Sequence, residues 1–176
     1  MVRENNREQQ IPRAEAEEQV RQALRRLAML YHFTAEVLVD QCGSDKAAEL
    51  LKEIICRYGI DIGAATRERV AAAGLALTGE NFQVCSDLPA LGWRSDSVIG
   101  EDGVPRMCIT SCPLAETWLA LGSEKFGRIY CMVDEVKYEA YNGSRCRHLK
   151  NVLDGDDCCL FDLKEKISDD GTGSAK

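Results

Sequence analysis

The sequence predicts an α+β domain in which an N-terminal antiparallel helical hairpin packs with a twisted antiparallel sheet and two short helices. Three observations carry that expectation. Apolar residues recur at steps of three and four from Val20 to Leu77, and from Glu80 onward Gly and Pro cut the chain into short segments. The 176 residues, 45% hydrophobic and 29% charged, also have the composition of one ordinary globular core.

Residues 1–12 lack apolar periodicity and are expected to be disordered. A single domain is expected over 13–164, made of a helical hairpin (13–78) and a cysteine-rich half (80–164), with a polar, disordered tail over 165–176. Pro12 suits the first turn of a helix, and Val20, Leu24, Leu27, Tyr31, Ala35 and Leu38 then form one apolar stripe. Around Leu30, Phe33, Val37 and Val39 the opposite face is apolar too, which predicts enclosure by other elements or a homodimer. Gly43 ends this helix and Ser44 caps the next, whose stripe runs from Ala47 to Leu77, with a bend expected near Gly59 and Gly63. His32, among apolar neighbours, reads as a core or interface residue.

In the second half, Gly100-Glu101-Asp102-Gly103 reads as the turn between strands at 96–99 and 105–110. Cys112-Pro113 opens a short helix that Gly122 stops. Ile129, Met132, Val133, Val136 and Ala140 suggest one further helix, closed by Asn142-Gly143. A last hairpin is expected from 145–153 and 157–163, turning at Asp154-Gly155-Asp156.

The net charge of -7 argues against a nucleic-acid partner, which would require clustered Lys and Arg. The arginines between Arg3 and Arg26 alternate with glutamates and read as a solvated helix face. No apolar run approaches the ~20 residues of a membrane span, and the polar start does not resemble a secretory signal, so a cytoplasmic location without membrane contact is expected. Nine cysteines in a reducing compartment are expected to be thiols, metal ligands or catalytic groups before they are disulfides.

Cys112, as the residue before a helical Pro113, is placed at a helix N-cap, where unpaired N–H groups favour a thiolate. It reads as a nucleophile or metal ligand, or as a small apolar residue at a strand-to-helix corner. Cys131 and Asp134, three apart, share one helix face and could hold a metal or act as nucleophile and proton carrier; a core cysteine beside a solvated aspartate is the plainer reading. Adjacent Cys158 and Cys159 point to opposite faces of a strand, and Cys159 goes inward with Phe161 and Leu163. No Cys-x-x-Cys pair occurs, so zinc is possible without being announced. With only His32 and His148, a histidine-dependent triad has little to draw on.

The second half resembles the L-2-amino-thiazoline-4-carboxylic acid hydrolase family. The resemblance rests on Asp87-Leu88-Pro89, Gly92-Trp93, Cys112-Pro113, Trp118, Tyr130-Cys131 with Asp134, and Gly155-Asp156-x-x-Cys159-x-Phe161. The last string is also similar to the end of four-vinyl reductase type domains, which implies helices laid against a twisted antiparallel sheet. The family resemblance implies a hydrolase of non-peptide C–N bonds that opens a small cyclic amidine. Either a thiolate at Cys112 or Cys131 attacks, with Asp134 or Asp156 moving protons, or Cys112, Cys131 and Cys159 hold zinc and a metal-bound water attacks. Arg145 or Arg147 is the expected partner of a substrate carboxylate, and Trp118 a further substrate contact. The additional cysteines Cys108, Cys146 and Cys158 depart from the family pattern. The competing reading is a non-enzymatic carrier or sensor that binds a metal or small ligand in the same cysteine-lined pocket.

Overall fold

The computed structural model describes residues 11–86, 88 and 91–164. The expectations for residues 1–10 and 165–176, and the Asp87 and Pro89 of the first motif, lie outside the described residues. Helices α1 (Arg13–Cys42) and α2 (Ser44–Ala72) form the hairpin, joined by Gly43 alone, whose φ of 80° only glycine adopts without strain. The inward stripe of α1 is Leu24, Ala28, Tyr31 and Ala35, close to the one read from the sequence. Leu30, Phe33 and Val37 are exposed, so no described element of this chain encloses the second apolar face. Arg21 departs from the expected solvated face. Its guanidinium donates to Gly92 O and Ser111 Oγ and pairs with Glu116 at 2.6 Å, tying α1 to the second half.

Helix α2 continues through Gly59 and Gly63, which serve close approach. A Cβ at Gly59 would stand 2.8 Å from Val136 Cβ, and one at Gly63 would stand 2.7 Å from Ala140 Cβ. Both neighbours belong to α6 (Val133–Asn142), which thereby lies directly on the α2 backbone. The helix stops at Ala72, short of the expected Thr78. Thr78 instead caps a separate helix, α3 (Gly79–Val84), by accepting a hydrogen bond from Asn81 N–H at 3.2 Å. A capping threonine offers the backbone this alternative to continuing a helix.

Strands β1 (Arg94–Ile99), β2 (Pro105–Ser111), β3 (Arg145–Lys150) and β4 (Cys159–Lys164) form one antiparallel sheet in the order β1-β2-β4-β3. Both expected hairpins are present, and a 3-10 turn at Val152–Asp154 joins the second. Only two residue pairs, Cys108↔Leu160 and Ile109↔Cys159, align β2 with β4. A disulfide between Cys108 and Cys158, with 6.2 Å between Cα atoms, reinforces that short junction. The expectation that the cysteines are thiols, metal ligands or catalytic groups before they are disulfides is corrected at this pair, because strand pairing brings together two residues far apart in sequence.

Between β2 and β3 run α4 (Pro113–Ala120), α5 (Glu124–Tyr130) and α6. The single helix expected around Ile129 to Ala140 is therefore two, broken at Cys131 and Met132. One core cluster gathers Leu24, Tyr31, Leu51, Ile55, Trp118 and Tyr130. A second, made of Val70, Phe82, Tyr138, Tyr141, Cys146 and Phe161, joins α2, α3 and α6 to the sheet. Among the described residues no helix is long and apolar enough to cross a membrane.

Candidate active site

Strand alternation places Cys159, Phe161 and Leu163 on one face of β4. Their neighbours on β3 are His148, opposite Phe161, and Cys146, opposite Leu163. Together with residues of both core clusters, these side chains line a cavity of about 620 Å³. Helices supply the facing wall, with Cys112 at the N-cap of α4, Cys131 at the C-cap of α5, and Asp134 and Lys137 on α6.

Of the residues singled out from sequence, Cys112, Trp118, Cys131, Asp134 and Cys159 line this cavity. Asp156, Arg145 and Arg147 do not. The Asp156 carboxylate accepts the Asn151 N–H at 2.8 Å within the turn before β4. Arg145 and Arg147 are exposed, because a period of two gives the inward positions to Cys146 and His148. Cys131 and Asp134 reach the cavity from successive helices, with the Asp134 N–H donating to Cys131 O at 3.3 Å.

The polar centre of the cavity is Asp134. Its Oδ1 lies 2.6 Å from Lys137 Nζ, and its Oδ2 lies 3.4 Å from His148 Nε2. Burial works to raise the carboxyl, but Lys137 and His148 outweigh it and hold Asp134 below the usual carboxylate range. The side chain of His148 is 2% exposed and its ring packs 4.4 Å from that of Phe161. Its other nitrogen, Nδ1, is buried without a hydrogen-bond partner. Sequence reasoning passed over Lys137 and His148. The signal for Lys137 was its spacing of three from Asp134 on a helix. The signal for His148 was its alternation with Cys146.

The thiols behave differently from the sequence expectation. Cys112 does sit at the helix N-terminus, and the N–H groups of Ala115 and Leu114 favour its thiolate, yet burial is the larger effect and pushes it up. Burial and then the charge of Asp134 push Cys131 up to about 12, with the nearby Asn151 side chain opposing them. The same two causes push Cys146 up to about 12, and burial raises Cys159. The cavity thiols are therefore protonated at neutral pH. Nor do the donors fit zinc, for among the described residues no three His, Cys, Asp or Glu side chains are grouped so that they could hold a metal ion.

These shifts predict a stability profile with two shoulders. Asp134 titrates lower when folded than the ~3.9 of an unfolded aspartate, so its stabilisation is complete above that value and is lost as the pH falls below it. Cys131 and Cys146 keep their protons when folded, whereas unfolded thiols lose them near ~8.5, so stability falls as the pH rises from there toward about 12. Urea midpoints should be level from about pH 5 to pH 8 and drop on either side. A midpoint that stays level up to pH 11 would contradict the burial of these thiols.

Three comparisons bear on the chain. The structure is similar to the crystal structure of a trafficking protein particle complex subunit 3 from Naegleria fowleri covalently bound to palmitic acid, with a TM-score of 0.50 and 19% identity over 82% of this chain and 96% of that one. That likeness is one of fold. It gives no support to the four-vinyl reductase resemblance. No curated protein gives a significant match. The family model described as L-2-amino-thiazoline-4-carboxylic acid hydrolase matches residues 22–163. Because that match runs from α1 to β4 and takes in every element that walls the cavity, the chain belongs to the L-2-amino-thiazoline-4-carboxylic acid hydrolase family.

Proposed function

We propose that the chain hydrolyses a small cyclic amidine of the 2-amino-thiazoline type, with His148 as the base that activates water and Asp134 as the group that orients it. The observation that carries this reading is the buried His148, one ring nitrogen facing Asp134 and the other without a partner, on the wall of the cavity. A carboxylate on one side of an imidazole fixes the proton there and leaves the second nitrogen free to take one. The family name supports hydrolysis.

In the reaction, the His148 ring turns to bring Nδ1, buried in this conformation, to the cavity, where it removes a proton from water as the oxygen bonds to the amidine carbon between nitrogen and sulfur. His148 returns that proton to the ring nitrogen of the tetrahedral adduct; collapse then forms the C=O bond and breaks the ring C–N bond, as His148 carries the hydroxyl proton to the departing nitrogen. The product is a carbamoyl derivative with a free amine. Water is favoured over a thiol as the nucleophile because the cavity thiols are protonated and none of their sulfurs hydrogen-bonds to Nδ1. Since no donor set among the described residues fits a metal, no step runs through one.

The test is turnover of 2-amino-thiazoline-4-carboxylate by the protein and by its Cys112→Ser and Cys131→Ser variants, with the carbamoyl product read by mass spectrometry. Both variants should keep turnover within a few-fold of the parent. Loss of activity in either one would make that sulfur the nucleophile and overturn the water mechanism. A carrier of small ligands is the second reading, favoured by the mainly apolar cavity wall, and it predicts retention of the compound without turnover. For the exposed stripe of Leu30, Phe33 and Val37 we propose self-association. Light scattering should give about twice the 19.5 kDa chain mass, and a monomer mass would refute it.

A further inference from the structure

The size, shape and charge of the cavity bear on what kind of amidine it takes. A bare 2-amino-thiazoline-4-carboxylate has about nine non-hydrogen atoms, and at roughly 30 Å³ each, the share of a water molecule in the liquid, it fills under half of the 620 Å³. The sheet wall extends well beyond the reacting groups. It runs from His148 on β3 through Phe161 on β4 and Ile109 on β2 to Ser95 on β1. Three inter-strand steps of about 4.8 Å make that wall roughly 14 Å wide. Away from His148 and Asp134 the lining is largely apolar, with Phe82, Trp93, Met107 and Leu163 among its members.

Charge points the same way. Apart from His148, the basic residues among the described lining residues are Lys137 and Arg106. Lys137 is paired with Asp134, and Arg106 with both Asp102 and Asp162. The lining also contains the carboxylates of Asp134, Asp162 and Glu80. A substrate carboxylate would therefore give up its hydration without gaining an unpaired cation, which is costly. An apolar group entering the same space would shed water at a gain.

From these observations we infer that the preferred substrate of this site is a neutral cyclic amidine whose carboxylate is masked or replaced by a bulky alkyl or aryl group, which lies along the sheet wall from β4 to β1. This rests on the reading of the site as an amidine hydrolase and deepens it. His148 and Asp134 act on the ring, while the apolar half of the cavity takes the substituent.

The experiment compares three compounds on the full chain, namely 2-amino-thiazoline-4-carboxylate, its methylamide and its hexylamide. The methylamide removes the charge, and the hexylamide adds bulk. Turnover is measured alongside the shift in melting temperature. The expected result is a kcat/KM at least tenfold higher for the hexylamide than for the free carboxylate, with the methylamide between them. Met107→Arg, which puts an additional cation on the wall, should narrow that preference by raising kcat/KM on the carboxylate. Turnover of the carboxylate equal to or better than that of the hexylamide would overturn the inference and leave the hydrolase reading standing. Stabilisation by the hexylamide alone, with none of the three turned over, would support the ligand class and overturn the hydrolase reading. No turnover and no stabilisation by any of them would overturn both.

Discussion

Replacing His148 with Phe should lower turnover by about 10²- to 10⁴-fold, the range over which a positioned base contributes, while the protein stays folded. The substitution is chosen because His148 is 2% exposed and its ring packs against Phe161, so another flat ring keeps the packing. What it removes is the unpartnered Nδ1 and the contact of Nε2 with Asp134. Asp134→Asn should cut turnover comparably by a different route, since an amide can present its NH₂ to Nε2 and so stabilise the wrong tautomer. That variant also strips Lys137 of its carboxylate, and a charge left alone in a buried place is destabilising. The two effects separate in the measurement. Tautomer loss lowers kcat in protein that remains folded by circular dichroism, whereas the loss of the Lys137 partner lowers the urea midpoint. Full turnover in His148→Phe would remove the base from the mechanism.

How much of this was visible beforehand depended on the range over which each feature is decided. The inward stripe of α1, the single glycine joining the hairpin and the N-cap position of Cys112 are local, and the sequence showed them through spacing and residue type. The break between α5 and α6 was hidden because Cys131 and Met132 keep right-handed helical angles, so no Gly or Pro marks it. Insertion of β4 between β2 and β3 decides which cysteines meet. That insertion sets Cys158 against Cys108 and turns Cys159 to the cavity. The choice between Arg147 and His148 as the cavity residue was the same kind of question, since a shift of one residue in register exchanges them. The raised thiols show the limit of reasoning from one favourable contact. The helix N-terminus does act on Cys112, but burial depends on the whole chain and is the larger effect.

Trp118→Ala should destabilise the protein by about 3–5 kcal/mol, the usual cost of removing a buried Trp. The indole is 1% exposed and holds three helices together. Its Nε1–H donates to Ala28 O on α1 at 3.0 Å, and its ring meets Tyr31 of α1 and Tyr130 of α5 at centroid distances of 5.7 and 5.2 Å. Gly127 on α5 leaves the space it occupies, since a Cβ there would stand 2.6 Å from the indole Cε3. With so specific a seat, no neighbour can swing in to fill the void, which places the cost high in its range. Against a total stability of 5–15 kcal/mol typical of such domains, that loss is about a third or more. Trp118→Phe keeps a ring over Gly127 but gives up the hydrogen bond, so it should cost roughly 1–2 kcal/mol. Trp118 also lines the cavity, and the pair of variants separates its two roles. If it only holds the helices, Trp118→Phe loses stability without a change in KM, whereas a direct substrate contact raises KM in the same variant. An alanine variant whose urea midpoint shifts by less than about 1 kcal/mol in stability would show that α1, α4 and α5 are held together elsewhere.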